Sequence, residues 1–303
     1  MNRRQSNPTI QPESTDPKDG DLTLVAFDGS PTSVAALAWA ATRCRGFSPE
    51  TSRLELLLAV PAKRAHRRWE EERRAELATA AGDARASLPD TTVLADVVVG
   101  EIVESFSTRA DSADLVVVGS GAEPRLVITS LAERLWARGV RSTVVVPSAA
   151  AHGDVLLIVT PNGVSARSAD WASRQAILLG VGLRLVAVQD ESVHRREHET
   201  FLQSILTDLA ASLRSEKAVV QVSNCILRGE PVESFRHLSV GCSLVVLEDD
   251  PRQPHRGERL RRGLLLAVPA PTALLAPPRD FRPFTSRPGE ASIDRDNMSP
   301  DPA

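Results

Sequence analysis

The chain repeats itself. Gly100-Glu101-Ile102-Val103-Glu104-Ser105-Phe106 returns as Gly229-Glu230-Pro231-Val232-Glu233-Ser234-Phe235, with a single change. Leu115-Val116-Val117 returns as Leu244-Val245-Val246, Thr143 as Thr272, and Trp39-Ala40 as Trp171-Ala172, so the period is about 130 residues. Solenoid repeats run roughly 20–50 residues, so this period implies a duplicated whole domain. In a chain of 303 residues two such copies fit, over 21–148 and 153–277. The flanks, 1–20 and 278–303, are rich in Pro, Ser and Asp and are expected to be disordered tails.

Each copy alternates short apolar runs with helical patterns. The runs Leu22–Phe27, Leu54–Val60, Val93–Val99, Leu115–Val118 and Thr143–Val146 read as strands, and so do Val155–Val159, Leu183–Val188, Val219–Ile226, Leu244–Leu247 and Thr272–Leu275. Near-continuous Val and Leu without polar alternation suits strands covered on both faces. Helical spacing at Val34, Leu37, Ala38 and Ala41, the charged stretch Arg64–Leu88, and Leu126–Ala137 fall between them. The expected fold class is therefore α/β: two tandem open five-stranded parallel sheets with helices on both faces.

Composition removes several function classes. Hydrophobic residues make up 42% and charged residues 25%, as in ordinary globular proteins. A net charge of −3 leaves no basic field for nucleic acid. No run is long and apolar enough for a membrane span, and the first residues hold no signal-peptide core, so a cytoplasmic protein is expected. Cys44, Cys225 and Cys242 are odd in number and lack C-x-x-C spacing, which argues against a disulfide framework or structural zinc. His194-Arg195-Arg196-Glu197-His198 spells an inverted zinc-protease signature, but its surroundings are charged and read as a solvated helix face; no metal site is expected. Neither a Walker A pattern nor a G-x-S-x-G is present, and no catalytic set can be assigned.

Ligands of open α/β sheets bind beyond the carboxyl ends of the strands. The first strand ends in Phe27-Asp28-Gly29-Ser30-Pro31, where Ser30 and Pro31 suit a helix N-cap and first turn and Asp28 suits a ribose hydroxyl. The fourth ends in Gly119-Ser120-Gly121, whose N–H groups before a helix could cradle phosphate or simply turn the chain. The Glu of the repeated Gly-Glu-x-Val-Glu-Ser-Phe could cap a helix.

Leu24-Val25-Ala26-Phe27-Asp28-Gly29-Ser30-Pro31-x-Ser33 with Ala36-Leu37-x-Trp39-Ala40 resembles the opening of the universal stress protein family. Ala113-Asp114-Leu115-Val116-Val117-Val118-Gly119-Ser120 resembles its fourth strand and glycine loop, and Thr143–Pro147 its last strand. The resemblance implies a tandem universal stress protein, with ATP or another adenine nucleotide in the first copy. It implies contacts from Ala26 and Asp28, from the backbone of Val60 to adenine, and from Gly119, Ser120, Gly121, Thr129, Ser130 and Leu131 to the phosphates. It further implies pairing of the two last strands within the chain; a homodimer and an unidentified regulatory protein stay open as partners.

This sequence departs from the family loop G-x2-G-x9-G-[ST]. Ala122 takes the place of the second Gly, Thr129-Ser130 closes the loop early, Pro124 removes a donor and Glu123 adds negative charge, with Arg125 beside it. The second copy departs further, with Thr160 in place of the Asp and Glu248-Asp249-Asp250-Pro251 in place of the glycine loop. Three acids there would repel phosphate, so no ATP is expected in that copy. The leading expectation is a non-catalytic stress-response protein with a nucleotide site in copy one. The alternatives are a nucleotide-independent interaction module and a weak ATPase.

Overall fold

A computed structural model describes residues 21–48, 51–61, 67–120, 128–140, 142–147, 152–189, 196–216, 221–249, 252 and 254–278. Residues 1–20 and 279–303, which hold the two tails expected to be disordered, the junction 148–151 and the loop 121–127 lie outside the described residues.

Strands and helices alternate through both halves. The first half runs β1 (Asp21–Ala26), α1 (Pro31–Arg45), β2 (Ser52–Val60), α2 (Arg67–Ser87), β3 (Thr92–Val99), α3 (Ile102–Ala110), β4 (Leu115–Gly119), α4 (Ile128–Ala137) and β5 (Ser142–Val146). The second runs β6 (Gly153–Ile158), α5 (Ala166–Leu179), β7 (Leu183–Gln189), α6 (Arg196–Glu216), β8 (Val222–Arg228), α7 (Pro231–Leu238), β9 (Cys242–Glu248), α8 (Pro254–Ala267) and β10 (Thr272–Leu275). The strand expected at Val219–Ile226 is described over Val222–Arg228; residues 217–220 lie outside the described residues.

The strands form a single ten-stranded sheet in the order β3-β2-β1-β4-β5-β10-β9-β6-β7-β8. Each half thus has the same internal order, and all pairs are parallel except β5 with β10, which run antiparallel. There Val144 faces Ala273 and Thr143 faces Leu274. This pairing covers what would otherwise be two exposed sheet edges.

The Val and Leu runs bury on both faces. On one, Val25, Leu56, Val117 and Val144 pack with residues of α1, α2, α5 and α6; on the other, Leu24, Leu57, Val116 and Val145 pack with α3, α4, α7 and α8. Both layers run through both halves. Crossovers in the first half switch faces after β3, so β1 and β4 diverge in their connections while lying side by side. Such a switch point leaves a crevice at the strands' carboxyl ends.

Candidate functional site

The crevice is present as a cavity of about 240 Å³. Its walls are the end of β1 and the turn into α1 (Ala26, Asp28, Ser30, Ser33), the end of β2 (Leu58, Ala59) and the end of β4 (Gly119, Ser120). Helices α3 and α4 close it with Ile102, Phe106, Leu131 and Arg134.

The turn into α1 is built as its sequence suggests. Ser30 is the N-cap, its hydroxyl accepting from the Ser33 N–H at 3.2 Å, and Pro31 opens the helix. The Asp28 carboxylate accepts from the Ser30 N–H at 3.0 Å. Burial would raise the Asp28 pKa, but hydrogen bonds from Ser30 and Ser33 and the charge of Arg73 outweigh it and hold the carboxyl below its usual range. Gly29 has φ 78°, and a Cβ there would lie 2.7 Å from Glu76 Oε2 and 2.9 Å from Arg73 Nη1. Arg73 also donates to the Asp28 carbonyl at 3.1 Å. The charged helix α2 therefore braces this turn.

Gly119 answers to close packing. A Cβ on it would stand 2.6 Å from the Thr32 carbonyl carbon and 2.8 Å from the Ser33 nitrogen, so α1 presses directly on the end of β4. The repeated Gly-Glu-x-Val-Glu-Ser-Phe forms the start of α3 and α7. Glu101 caps α3 by accepting from Glu104 N–H at 2.9 Å, and Glu230 caps α7 by accepting from Glu233 N–H at 2.8 Å. In each half the same segment lines the crevice, with Ile102 and Phe106 in the first and Pro231 and Phe235 in the second. Glu101 also holds Arg134 at 2.7 Å, at the cavity edge.

Of the residues expected at the site, Ala26, Asp28, Gly119, Ser120 and Leu131 line this one cavity. Val60 does not. It is fully buried and its carbonyl accepts from Gly100 N–H at 2.9 Å, while Leu58 and Ala59 of the same strand line the cavity. Gly121 lies outside the described residues, as does Arg125. Thr129 and Ser130 fall in the first turn of α4, their side chains outside the described ones. Arg134 and Phe106 are additions that the loop motif did not reach. Arg134 follows Leu131 by one helical turn, and that spacing is the only signal it leaves in the sequence.

The matching crevice of the second half is about 70 Å³ and mostly apolar. Glu248 does not stand open as a repulsive acid. It is 5% exposed and turns inward, accepting from Ser165 N–H at 2.7 Å, Ser165 Oγ at 2.5 Å and Ser168 Oγ at 2.9 Å. Asp249 is paired with Arg261 at 3.2 Å. Thr160 bonds within its own turn, to the Gly163 carbonyl at 2.9 Å. Asp250 and Pro251 lie outside the described residues.

Among the described residues no group of His, Cys, Asp and Glu is placed to hold a metal ion. His194 and Arg195 of the zinc-like signature lie outside them, and 196–198 begin α6 with side chains outside them. The three cysteines are unpaired. No described helix is long and apolar enough to cross a membrane.

Solved structures share this architecture over most of the chain. A universal stress protein from Archaeoglobus fulgidus DSM 4304 superposes with a TM-score of 0.66 at 13% identity, over 84% of this chain and 98% of that one. The chain has the universal stress protein fold. A protein of unknown function from Pseudomonas aeruginosa PAO1 shares it at a TM-score of 0.55 and 14% identity, over 84% of this chain and 92% of that one. So does the cytoplasmic domain of a prokaryotic cation chloride cotransporter, at 0.53 and 12%, over 86% of this chain and 96% of that one. No protein-family model and no curated protein matches the sequence. At these identities the universal stress fold is what is shared, and function rests on the site itself.

Proposed function

We propose that the first half binds an adenine nucleotide and acts as a non-catalytic, cytoplasmic stress sensor. The observation that carries this reading is the composition of one cavity. Apolar Leu58, Ile102, Phe106 and Leu131 offer a slot for a base, Asp28 and the hydroxyls of Ser30 and Ser33 suit a ribose, and Arg134 suits a phosphate. Arg134 is the one cation among the described lining residues. That set favours a nucleotide with few phosphates over a triphosphate, as does the shortened loop after Gly119.

Binding is favoured over turnover by the state of Asp28. A carboxyl held below its usual pKa is a good acceptor for hydroxyls and a poor general base. Ligand contact with Arg134 would compete with Glu101, which caps α3, and so pass a signal from the cavity to that helix. A second reading, a nucleotide-independent interaction module, draws on the same shortened loop and on the closed crevice of the second half.

The test begins with protein purified without added nucleotide. Its small molecules are released by denaturation and identified by mass, and the native protein is titrated with AMP, ADP and ATP. The expected result is saturable binding of one adenine nucleotide per chain, weakened at least about tenfold by Asp28→Ala. An empty protein that no nucleotide titrates would leave the interaction module as the reading.

A further inference from the structure

The antiparallel β5–β10 pair places an approximate twofold axis between Val144 and Ala273, which hold the same position in the two halves. Near such an axis each residue meets its own counterpart. In this chain the counterparts that meet differ in size or charge.

On one face of the sheet α1 packs against α5. Setting Trp39 on Trp171 superposes buried Ala36, Ala40, Ala41 and Cys44 on buried Ser168, Ala172, Ser173 and Ala176, which fixes the alignment. Arg43 then matches Gln175, and these two touch: Arg43 Nε donates to Gln175 Oε1 at 2.7 Å, with both residues essentially without solvent exposure. The remaining guanidinium donors bond within the first half, to both Asp21 carboxylate oxygens at 2.7 and 2.8 Å and to Thr23 Oγ1 at 2.7 Å. In the second half the counterparts of Asp21 and Thr23 are Gly153 and Val155, so the guanidinium and its acceptors are absent together. Gly46 matches Leu178, and they also meet. A Cβ on Gly46 would lie 2.2 Å from the Leu178 carbonyl oxygen, so only the residue without a side chain fits there.

The opposite face repeats the pattern with charge. Setting Leu131 and Leu135 of α4 on Leu260 and Leu264 of α8 matches Glu133 with Arg262. These form an ion pair across the halves at 3.1 Å.

We propose that this pairing face is heterotypic: the first half is shaped and charged to accept the second half and to reject a copy of itself. Two first halves would bring two buried guanidiniums together, each Nε without the acceptor that Gln175 supplies, and Glu133 against Glu133. Two second halves would force Leu178 against a neighbouring backbone and set Arg262 against Arg262. Buried like charges are penalised far more than exposed ones, so the Arg43 position dominates the discrimination.

The test uses the full chain and thermal unfolding. Gln175→Arg brings a second guanidinium to the axis, whereas Gln175→Met only removes the acceptor. The former is expected to melt roughly 5 °C or more below the latter. In an Arg43→Met background that excess should vanish, because Asp21 can then receive the introduced guanidinium. On the exposed face, Glu133→Arg should lower Tm by a smaller amount that adding Arg262→Glu restores. Equal melting of Gln175→Arg and Gln175→Met would overturn the proposal. Should Gln175→Arg fail to fold, the exposed cycle decides: no rescue of Glu133→Arg by Arg262→Glu overturns it.

Discussion

At the end of β4 the first half carries Gly119, and at the matching end of β9 the second carries Glu248. Around that one difference the two crevices diverge. In the first half α1 begins at Pro31 and presses on Gly119, and the Ser33 N–H is satisfied by the Ser30 hydroxyl. In the second half the matching turn, Asn162 to Val164, is not helical, and α5 begins one turn later. There the Ser168 N–H is again satisfied by the N-cap hydroxyl, of Ser165, and the buried Ser165 N–H and both serine hydroxyls donate to the Glu248 carboxylate. A helix N-terminus attracts an anion, and this half supplies its own. It also lacks the guanidinium: Gly263 takes the place of Arg134 and packs so tightly that a Cβ would stand 2.4 Å from Val232 Cγ2. One half therefore keeps a cavity with a cation, Arg134, at its edge, while the other fills its anion position from within, and its crevice is about 70 Å³.

The largest expected effect comes from removing the built-in anion. Glu248→Gln keeps the shape but replaces one carboxylate oxygen by an NH2 donor, leaving part of the buried N–H and hydroxyl donors without an acceptor. A loss on the order of 2–4 kcal/mol should appear in denaturant unfolding. Glu248→Gly should go further and convert the position into an anion site. Inorganic phosphate would then raise the variant's melting temperature and leave the parent's unchanged. If the glutamine variant loses well under ~1 kcal/mol, the carboxylate is not what closes this half.

The reverse change in the first half ranks next. Gly119→Ala drives a methyl group into the Thr32 carbonyl and the Ser33 nitrogen. About 1–3 kcal/mol of stability should be lost as α1 is pushed off the sheet. Nucleotide affinity should fall with it, because Asp28 and Ser30 move with that turn. Stability lost with affinity intact would separate the turn from the site and weaken the comparison.

Much of the fold was readable because its strands are unusually plain. Runs such as Leu115–Val118 are apolar at every position, which only a sheet covered on both faces tolerates, and the repeat carried that reading into the second half. The turn at Asp28 was readable for local reasons, since N-cap, proline and carboxylate chemistry is written within a few neighbouring residues. Arg134 was not, because its role depends on where a turn of α4 lands beside α3. Glu248 was misread for a similar reason. As part of a run of acids it suggested a loop that repels phosphate, but the hydroxyls that donate to it, at the start of α5, lie some 80 residues away in the chain. The dyad contacts Arg43–Gln175 and Glu133–Arg262 belong to the same class of long-range facts.

The smallest expected effect concerns acid. Asp28 has a folded-state pKa below its unfolded value, so its ionised form is the one the fold holds. Its contribution is complete above the ordinary carboxylate value of about 4 and is lost as the pH falls through the lower folded value. Thr160, its counterpart in the second half, does not titrate. The melting difference between the parent and Asp28→Asn should therefore stay constant from neutral pH down to about pH 5 and shrink only in more acid solution. The difference between the parent and Thr160→Val should not change with pH at all. Because Asp28 faces solvent, its whole contribution should be no more than about 1 kcal/mol, so the two pH series must be compared within one buffer set. A difference for Asp28→Asn that grows as the pH falls would mean that the neutral form is the one the fold prefers. It would also turn Asp28 from a fixed hydroxyl acceptor into a group able to exchange a proton, and reopen the case for turnover at this site.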